Sequence, residues 1–327
     1  MRVTCQNMVY ELAKEDERVI FIGSDLSPGL LSGMKRDMPQ RYFMEGVTEA
    51  TVIGMAAGLA MEGYIPYVNT IATFITRRCY EQVAVDLCLH KLPVRLIGNG
   101  GGLVYAPLGP THLAIDDIAI MRALPHMTVV AVCDAAEMTR FMRQSADWPF
   151  PIYIRLAKGG DPVVSRDEQG FRIGEAIVMR RARAPRPVVL MATGVMTTNC
   201  LAAADRLAES GIEASVLHFH TVKPLDAKAV LDHASGAQAV VTVEEGTTIG
   251  GFGSAVTDVL VAHSTKGLPK LIRLGVPDEF PHHYGGQDDL WETYRLMPDQ
   301  IATAVMTSLG KIAPDTWKVR EIASRPA

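Results

Sequence analysis

Short apolar runs alternate with longer segments of helical periodicity along the first half of the chain. Runs rich in β-branched residues predict strands at 19–23, 94–98, 128–132 and 152–155. Between them, residues 77–90 and 135–145 carry apolar side chains at the spacing of an amphipathic helix. Because such alternation is typical of a mostly parallel sheet flanked by helices, the sequence predicts an α/β fold.

The same alternation starts again in the second half of the chain. It predicts, in order, strand 188–192, helix 198–209, strand 214–217, helix 226–233, strand 239–243 and a helix that opens at 250–255 and continues to 262. Between the two alternating regions the composition changes, with a Gly-rich segment at 159–162 and a basic stretch at 180–187. We therefore predict two domains, over residues 1–165 and 187–327, joined by a linker over 166–186.

The composition describes a globular chain with enough apolar material for two cores. Of its 327 residues, 48% are hydrophobic and 21% charged. The net charge is -4 and the basic residues are scattered, which argues against nucleic acid as a partner. No apolar run approaches the roughly 20 residues that span a bilayer, and the five cysteines lack CxxC spacing. These features predict a cytoplasmic protein with reduced thiols and no membrane partner.

One acidic residue stands at an unexpected place in this pattern. Glu49 directly precedes residues 51–61, a helix-like run that is apolar on nearly every face. A carboxylate at the start of a buried helix needs a partner or a chemical role, because removing a charge from water is costly. The plainer alternative is an acidic residue favoured by the helix dipole. The helix also carries small residues such as Gly54 and Gly58, which suit a subunit interface.

Two further features are weaker signals. The Gly-rich turn at 250–255 opens a helix whose amides could hold an anion, although tight strand-to-helix packing is the simpler explanation. His218 and His220 share one face of an extended segment, and His282 and His283 are adjacent. Neither pair has neighbouring ligands at zinc spacing, so we interpret both as structural.

Several motifs occur in the order in which one enzyme family carries them. They are Gly23-Ser24-Asp25-Leu26, Gly46-Val47-Thr48-Glu49, residues 69–74, Gly109-Pro110-Thr111-His112, Val222-Lys223-Pro224-Leu225-Asp226 and Val243-Glu244-Glu245. In this order the first half resembles the pyrimidine-binding domain of transketolase, and the chain from about residue 170 onward resembles the transketolase C-terminal domain. The motifs span most of the chain.

One family motif is absent from these 327 residues. Thiamine diphosphate enzymes of this kind hold Mg²⁺ or Ca²⁺ with a Gly-Asp-Gly motif and a downstream Asn, and no Gly-Asp-Gly occurs here. Such oxygen ligation is what neutralises a diphosphate away from bulk water. The resemblance therefore implies the C-terminal subunit of a split transketolase, paired with a diphosphate-binding subunit that holds the metal, in a two-plus-two heterotetramer.

The resemblance also implies roles in cofactor binding. In this family a Glu at the position of Glu49 hydrogen-bonds the aminopyrimidine ring of thiamine diphosphate and favours the tautomer that removes the thiazolium proton. Asp25 follows a predicted strand at the ligand-binding edge of the sheet and supports the cofactor. Phe74 matches one aromatic of the pyrimidine pocket, whereas Ile71 and Arg77 replace two others.

Substrate contacts follow from the same resemblance. His112 matches a histidine that faces the substrate, and histidine can donate to a carbonyl or hydroxyl oxygen. Arg2 matches an arginine that reaches the sugar phosphate, and Lys158 replaces another. At two positions the sequence departs from the family pattern in a way that bears on substrate specificity. Leu108 replaces an acidic residue that binds a sugar hydroxyl, and Gly100 replaces a phosphate-binding histidine. A branched or modified sugar phosphate is therefore the more attractive donor.

The sequence thus predicts transfer of a two-carbon ketol unit from a ketose phosphate to an aldehyde, by a subunit that is active only with its partner. Two alternatives stay open at this point. One is the beta subunit of a 2-oxo acid dehydrogenase E1 component, which has a similar domain pair. The other is a non-catalytic partner that supports assembly or regulation.

Overall fold

Two sheets organise the chain in a computed structural model that describes residues 1–23, 29, 31–263, 267–282 and 285–312. The first has seven strands and the second five, and both are mostly parallel with helices packed against them. Asp25 and His283 lie outside the described residues. The predicted α/β class is confirmed.

The first sheet is built chiefly from the first half of the chain. Its elements are, in order, α1 (Arg2–Glu15), β1 (Val19–Gly23), α2 (Ser32–Asp37), β2 (Tyr42–Met44), α3 (Glu49–Met61), β3 (Ile65–Ile71), α4 (Tyr80–Gln82), β4 (Arg95–Asn99), α5 (Asp117–Ala123), β5 (Thr128–Val130), α6 (Ala135–Ser145) and β6 (Ile152–Leu156). Strands β1, β3, β4 and β6 are buried along their whole length, as expected of parallel strands covered on both faces.

The second sheet follows with β7 (Ile177–Arg180), β8 (Val188–Ala192), α7 (Met196–Glu209), β9 (Ala214–His218), β10 (Thr221–Lys223), α8 (Ala227–Ala234), β11 (Ala239–Thr247), α9 (Phe252–His263), β12 (Lys270–Val276), α10 (Gln287–Thr293) and α11 (Pro298–Ser308). The strand order is β12-β11-β8-β9-β7, and only β7 pairs antiparallel. In the first sheet the order is β10-β5-β6-β4-β3-β1-β2.

Several predicted elements have the bounds that the sequence indicated, such as β1, β8 and α6. The segment predicted as one helix over 77–90 differs, because π-helical turns at Phe74–Arg78 and Val83–Leu89 flank the short α4. A π-helical turn accommodates an extra residue in a helix and often marks a functional position. The predicted linker contains β7, which pairs with β9; the domain division itself stays a prediction.

The two halves are joined through polar as well as apolar contacts. Strand β10, from the second half, pairs antiparallel with β5 in the first sheet. In the same region Arg155 donates to the backbone oxygen of Glu245 at 2.6 Å and pairs with Asp117 at 2.8 Å. Both ionic side chains are buried, at 6% and 0% exposure. The halves are therefore joined by a paired strand and by a buried hydrogen bond from the charged Arg155 to the Glu245 backbone.

All five cysteines are free and buried. Within the described ranges, no helix combines the length and the apolar content that crossing a membrane requires.

Candidate functional site

Glu49 opens α3 and is nearly inaccessible to solvent, with 5% of its side chain exposed. The sequence places it there because Gly46, with a φ of 68°, turns the chain from β2 into the helix. The carboxylate lies in the first turn, where the helix dipole favours negative charge. It lines a small cavity with Val52, Ile53, Val68, Asn69, Thr70 and Ile75. The predicted burial of this acidic residue is therefore found.

Arg78 supplies the charge that this carboxylate needs. Its Nη1 donates to Oε2 of Glu49 at 2.8 Å, and its guanidinium lies over the Phe74 ring at 4.3 Å from the centroid. The contact with Phe74 follows from the local backbone, because one π-helical turn begins at Phe74 and ends at Arg78. A guanidinium over an aromatic face is attractive, since the ring face is electron-rich.

His112 is a second neighbour of Phe74. The two rings meet edge to face, with centroids 5.3 Å apart and planes at 62°. The Nδ1 atom of His112 is 2.9 Å from Oγ1 of Thr111, so the neighbouring hydroxyl constrains the imidazole. The structure thus brings together three of the predicted site residues, Glu49, Phe74 and His112.

Arg77 has a separate task from Arg78. It forms a bidentate ion pair with Asp116, at 2.6 and 2.9 Å, and donates to the backbone oxygen of Leu113 at 3.0 Å. These contacts hold the chain that follows His112. Arg77, which replaces an aromatic residue expected in the pocket, therefore supports residues 112–116, called the histidine loop below.

The chain segments that carry the two predicted anion-binding residues, Arg2 and Lys158, adjoin one another. A Cβ added to Gly159 would lie 3.7 Å from the backbone nitrogen of Met1, so the start of α1 adjoins the segment after β6. Arg2 is half-buried and Lys158 is exposed. Within the described ranges, neither Arg2 nor Lys158 contacts Glu49, Phe74 or His112 through a hydrogen bond, an ion pair or a ring contact.

The loop after β4 explains the glycine at position 100. Gly100 has a φ of 72°, in the left-handed region that disfavours other residues. A Cβ at this position would also overlap the Tyr105 ring. No histidine fits here without rebuilding the loop. Leu108, the second departure, is 51% exposed at the end of a 3₁₀ turn at Ala106–Leu108.

A buried amide cluster near the cavity was not anticipated. Asn69 Oδ1 accepts from Asn99 Nδ2 at 2.7 Å and from Gln6 Nε2 at 3.4 Å. All three side chains are about 1% exposed. The available signal was an Asn in β3 and another at the end of β4, inside otherwise apolar runs. Because buried amides require hydrogen bonds, such positions merit attention in any strand prediction.

The Gly-rich turn at 250–255 binds a side chain of this same protein, the carboxylate of Glu244. The backbone amides of Phe252 and Gly253 donate to the Glu244 carboxylate at 2.7 and 2.8 Å. Burial raises the pKa of Glu244 to about 7, against the lowering effect of these amides. A Cβ at Gly251 would overlap the carboxylate, so the glycines make room for it. The turn is occupied internally, and packing explains its composition.

His218 and His220 lie at the contact between the two halves. His218 Nε2 is 2.8 Å from Glu137 Oε2, and its Nδ1 is 2.7 Å from Thr197 Oγ1. Donor atoms of Cys133, Glu137 and His218 lie within 4.8 Å of one another, a set of types that also suits a transition metal. Both ring nitrogens of His218 are already in hydrogen bonds, and burial raises the pKa of the Cys133 thiol. These features support the predicted structural role.

We expect acid to destabilise the protein through His220. This ring is buried, stacks on Phe171 at 3.9 Å and leaves Nε2 without a hydrogen-bond partner in the described part of the chain. Burial lowers its pKa to about 4 from 6.5, against the attraction of Glu137; His218, Arg140 and Asp226 also face it. In the unfolded chain the His220 ring is therefore protonated below about pH 6.5, whereas in the folded protein it is protonated only below about pH 4.

This group alone should remove roughly 3 kcal/mol of stability between those two pH values. The variant His220→Phe keeps a ring against Phe171 and cannot titrate. Urea unfolding across the pH range should give a shallower acid loss for the variant than for the wild type. Parallel curves for the two proteins would contradict this assignment.

The site fits the aminopyrimidine part of thiamine diphosphate. The chemical match is to the polar edge of the ring: a buried carboxylate, with a described side-chain hydrogen bond through only one oxygen, has a second oxygen to offer as an acceptor. The fold and this site define the class: a two-domain α/β chain of the type found in thiamine diphosphate enzymes.

Comparison with known proteins identifies the family within that class. Residues 1–160 match the transketolase pyrimidine binding domain, and residues 178–301 match the transketolase C-terminal domain. The 6-deoxy-6-sulfo-D-fructose transketolase subunit SqwH of Clostridium sp. (strain MSTE9) is 36% identical over 307 residues, which are 93% of this chain and 92% of that protein. A solved structure described as a split gene transketolase, inactive beta4 tetramer, superposes with a TM-score of 0.85 at 32% identity, over 94% of this chain and 98% of the other.

The 1-deoxy-D-xylulose-5-phosphate synthase of Desulforudis audaxviator (strain MP104C) is also 36% identical, but the match covers 89% of this chain and only 45% of the synthase. The chain thus spans about half the length of this relative and nearly all of the split-type relatives. It belongs to the transketolase family, as a subunit of the split type. The resemblance seen in the sequence is confirmed, and the transketolase interpretation is favoured over both alternatives.

Proposed function

We propose that this chain is the catalytic C-terminal subunit of a split transketolase, which moves a two-carbon ketol unit from a ketose phosphate to an aldehyde. The observation that carries the proposal is that Phe74 contacts the His112 ring directly and is linked to the buried Glu49 carboxylate through Arg78. The family implies thiamine diphosphate as cofactor. When bound, that cofactor supplies the nucleophilic carbon that carries the transferred unit.

The residues of this chain divide the work between binding and proton handling. Glu49 accepts a hydrogen bond from the cofactor's pyrimidine ring and fixes its tautomer. Phe74 seats the ring by an aromatic contact, and by the family resemblance we assign Asp25 a supporting role in cofactor binding. His112 donates a proton or hydrogen bond to the oxygen of the reacting carbonyl, and we assign this role to Nε2 because Nδ1 lies 2.9 Å from Thr111 Oγ1.

The diphosphate and its Mg²⁺ or Ca²⁺ are held by a separate subunit. This inference is supported by the absence of Gly-Asp-Gly from the 327 residues, and by the split-type relatives of similar length. We assign a two-plus-two assembly, with the cofactor at the boundary between the two kinds of subunit. The localisation that fits such an enzyme is the cytoplasm.

One face of α3 has the properties of the assembly surface. Gly54 and Gly58 are exposed, and a Cβ added to either would meet no atom within 4 Å. Next to them Met61 is 57% exposed and Val47, just before the helix, 71%. Apolar side chains around small residues let another helix approach closely, so this face is suited to a partner subunit.

The donor that we propose is a ketose with an anionic tail that differs from the usual pentose and hexose phosphates. Arg2 and Lys158 supply the positive charge for the tail, as two cationic side chains on adjoining segments. Leu108 cannot pair with a hydroxyl, and no side chain fits at Gly100. A relative named for a sulfonated fructose shows that one family member of this length acts on a modified sugar. Modified tails such as sulfonate are therefore the first donors to test.

Reconstitution with the diphosphate-binding subunit tests these statements together. Light scattering on the mixture should give two copies of each chain, and transfer should require both chains, thiamine diphosphate and the metal. We expect a sulfonated ketose to have a kcat/KM about 10-fold or more above that of xylulose 5-phosphate, because a mismatched polar contact costs about 1–3 kcal/mol. If xylulose 5-phosphate proved to be the best donor, the specificity proposal would be wrong. If this chain alone had full activity, the split-enzyme proposal would be wrong.

A further inference from the structure

Arg78 contacts both of the groups that the proposed function gives to the cofactor ring. Its Nη1 is 2.8 Å from Oε2 of Glu49, and its Cζ lies 4.3 Å from the centre of the Phe74 ring. The two contacts use different properties of one guanidinium: its charge and N–H groups toward the carboxylate, and its flat face toward the ring. The sequence motifs drew attention to Glu49 and Phe74 but left this arginine without a role.

The ion pair is asymmetric in its solvent exposure. The Glu49 side chain is 5% exposed, whereas that of Arg78 is 46% exposed. The carboxylate therefore bears most of the desolvation, and its cavity is lined largely by apolar side chains such as Val52, Ile53 and Ile75. An ionised carboxylate in such surroundings is stable only with a partner. Among the described residues, that partner is Arg78.

The backbone holds Arg78 in this place. Phe74 and Arg78 are the first and last residues of one π-helical turn, and a helical residue and the fourth one after it lie on the same face. Two contacts further restrict the position of the guanidinium: the Phe74 ring against its face and the Glu49 carboxylate at its edge. Fixing the arginine fixes one carboxylate oxygen, Oε2, and so sets the direction of the other.

We propose that Arg78 is the positioning residue for Glu49: it clamps Oε2, so that Oε1 is aimed at the pyrimidine ring, and it aligns Phe74 beside that ring. This inference rests on the proposed function. The neighbouring Arg77 serves the histidine loop through Asp116 and Leu113, so the two consecutive arginines support the two ends of the site.

The test compares Arg78→Ala, Arg78→Lys and Glu49→Gln in the complex with the diphosphate-binding subunit. Three readouts are the calorimetric affinity for thiamine diphosphate, the circular-dichroism band of the bound aminopyrimidine, and the rate at which the thiazolium proton exchanges with deuterium. We expect Arg78→Ala to slow exchange by about 10- to 100-fold, because small misplacements of a catalytic group have effects of that size. Cofactor affinity should fall less, by about 3- to 10-fold, and the dichroism band should change.

Arg78→Lys should restore part of the exchange rate, since lysine keeps the charge but lacks the flat fork of the guanidinium. Arg143→Ala is the matched control: this arginine is 61% exposed on α6 and its ion-pair contact, with Glu15, is 3.9 Å long. It should behave as the wild type in all three measurements.

The double variant Arg78→Ala/Glu49→Gln shows whether the arginine acts through the glutamate. If it does, adding Arg78→Ala to Glu49→Gln causes little further slowing. Wild-type exchange in Arg78→Ala, multiplicative slowing in the double variant, or tighter cofactor binding by Arg78→Ala would each overturn the positioning role. Tighter binding would mean that the guanidinium obstructs the site. If Glu49→Gln itself exchanges at the wild-type rate, the proposed function fails; if only Arg78→Ala does so, the proposed function survives and this inference does not.

Discussion

Replacing Glu49 by alanine is expected to reduce two-carbon transfer by about 10³-fold or more, while the assembly of the two subunits stays intact. The reduction follows from losing both the hydrogen bond to the cofactor ring and the proton transfer that it promotes, and a positioned proton-transfer group contributes about 10²- to 10⁴-fold. Single-turnover transfer and sedimentation of the reconstituted complex would measure the two effects separately.

Glu62→Ala provides the control for this substitution. Glu62 is the C-cap of the same helix and is exposed, so its loss should leave transfer unchanged. Assembly should survive Glu49→Ala because the carboxylate faces the cavity and the exposed glycines of α3 face outward. Transfer retained at a tenth of the wild-type rate or more would remove Glu49 from the catalytic role.

The second large effect is expected from Arg155→Met at the contact between the two halves. Arg155 is paired with Asp117 at 2.8 Å and donates to the backbone oxygens of Glu245 and Ala114, at 2.6 and 3.2 Å. Asp117 and Tyr153 lie against it, and the Asp117 carboxylate raises the pKa of Arg155 against the effect of burial. Methionine fills the volume but leaves a buried carboxylate without a cation. Such a loss costs about 3–5 kcal/mol.

Urea unfolding followed by circular dichroism would detect a loss of this size as a large fall in the midpoint. Arg206→Met is the matched control, because Arg206 pairs with Asp299 at the same distance, 2.8 Å, but with both side chains more than half exposed. Its midpoint should not change measurably, since exposed pairs contribute little. Equal effects of the two substitutions would show that burial of the Arg155 pair does not matter.

The buried strands and amphipathic helices were the most predictable part of the fold. Strand β1 and helices such as α6 were located correctly, because their apolar periodicity is strong and their boundaries carry local signals. Asp134, for example, caps α6 by accepting from the Glu137 amide at 2.8 Å. Strands β2, β3, β7, β10 and β12 and the π-helical turns were not predicted. A strand as short as β10 and the residue inserted in a π-helical turn leave no periodic pattern, and both depend on contacts distant in sequence.

The candidate site was only partly predictable for the same reason. Glu49 could be singled out because a carboxylate before an apolar helix is anomalous by itself. Arg78 and the amide cluster of Gln6, Asn69 and Asn99 could not be, because an isolated polar residue says nothing about which buried group it meets. The Gly-rich turn shows the converse, since a plausible anion site proved to hold Glu244.

The amino-acid sequence by itself determined the fold class, the repeated alternation of strand and helix, the family motifs in their order, and the missing diphosphate motif, because each of these is written in local pattern and composition. The tertiary structure decided which charges meet: Arg78 with Glu49, Arg77 with Asp116, and Arg155 with Asp117 and the second half of the chain. The physical reason is that the energy of a charge depends on its distance to other charges and on its burial, and both are set only when segments far apart in the chain pack together.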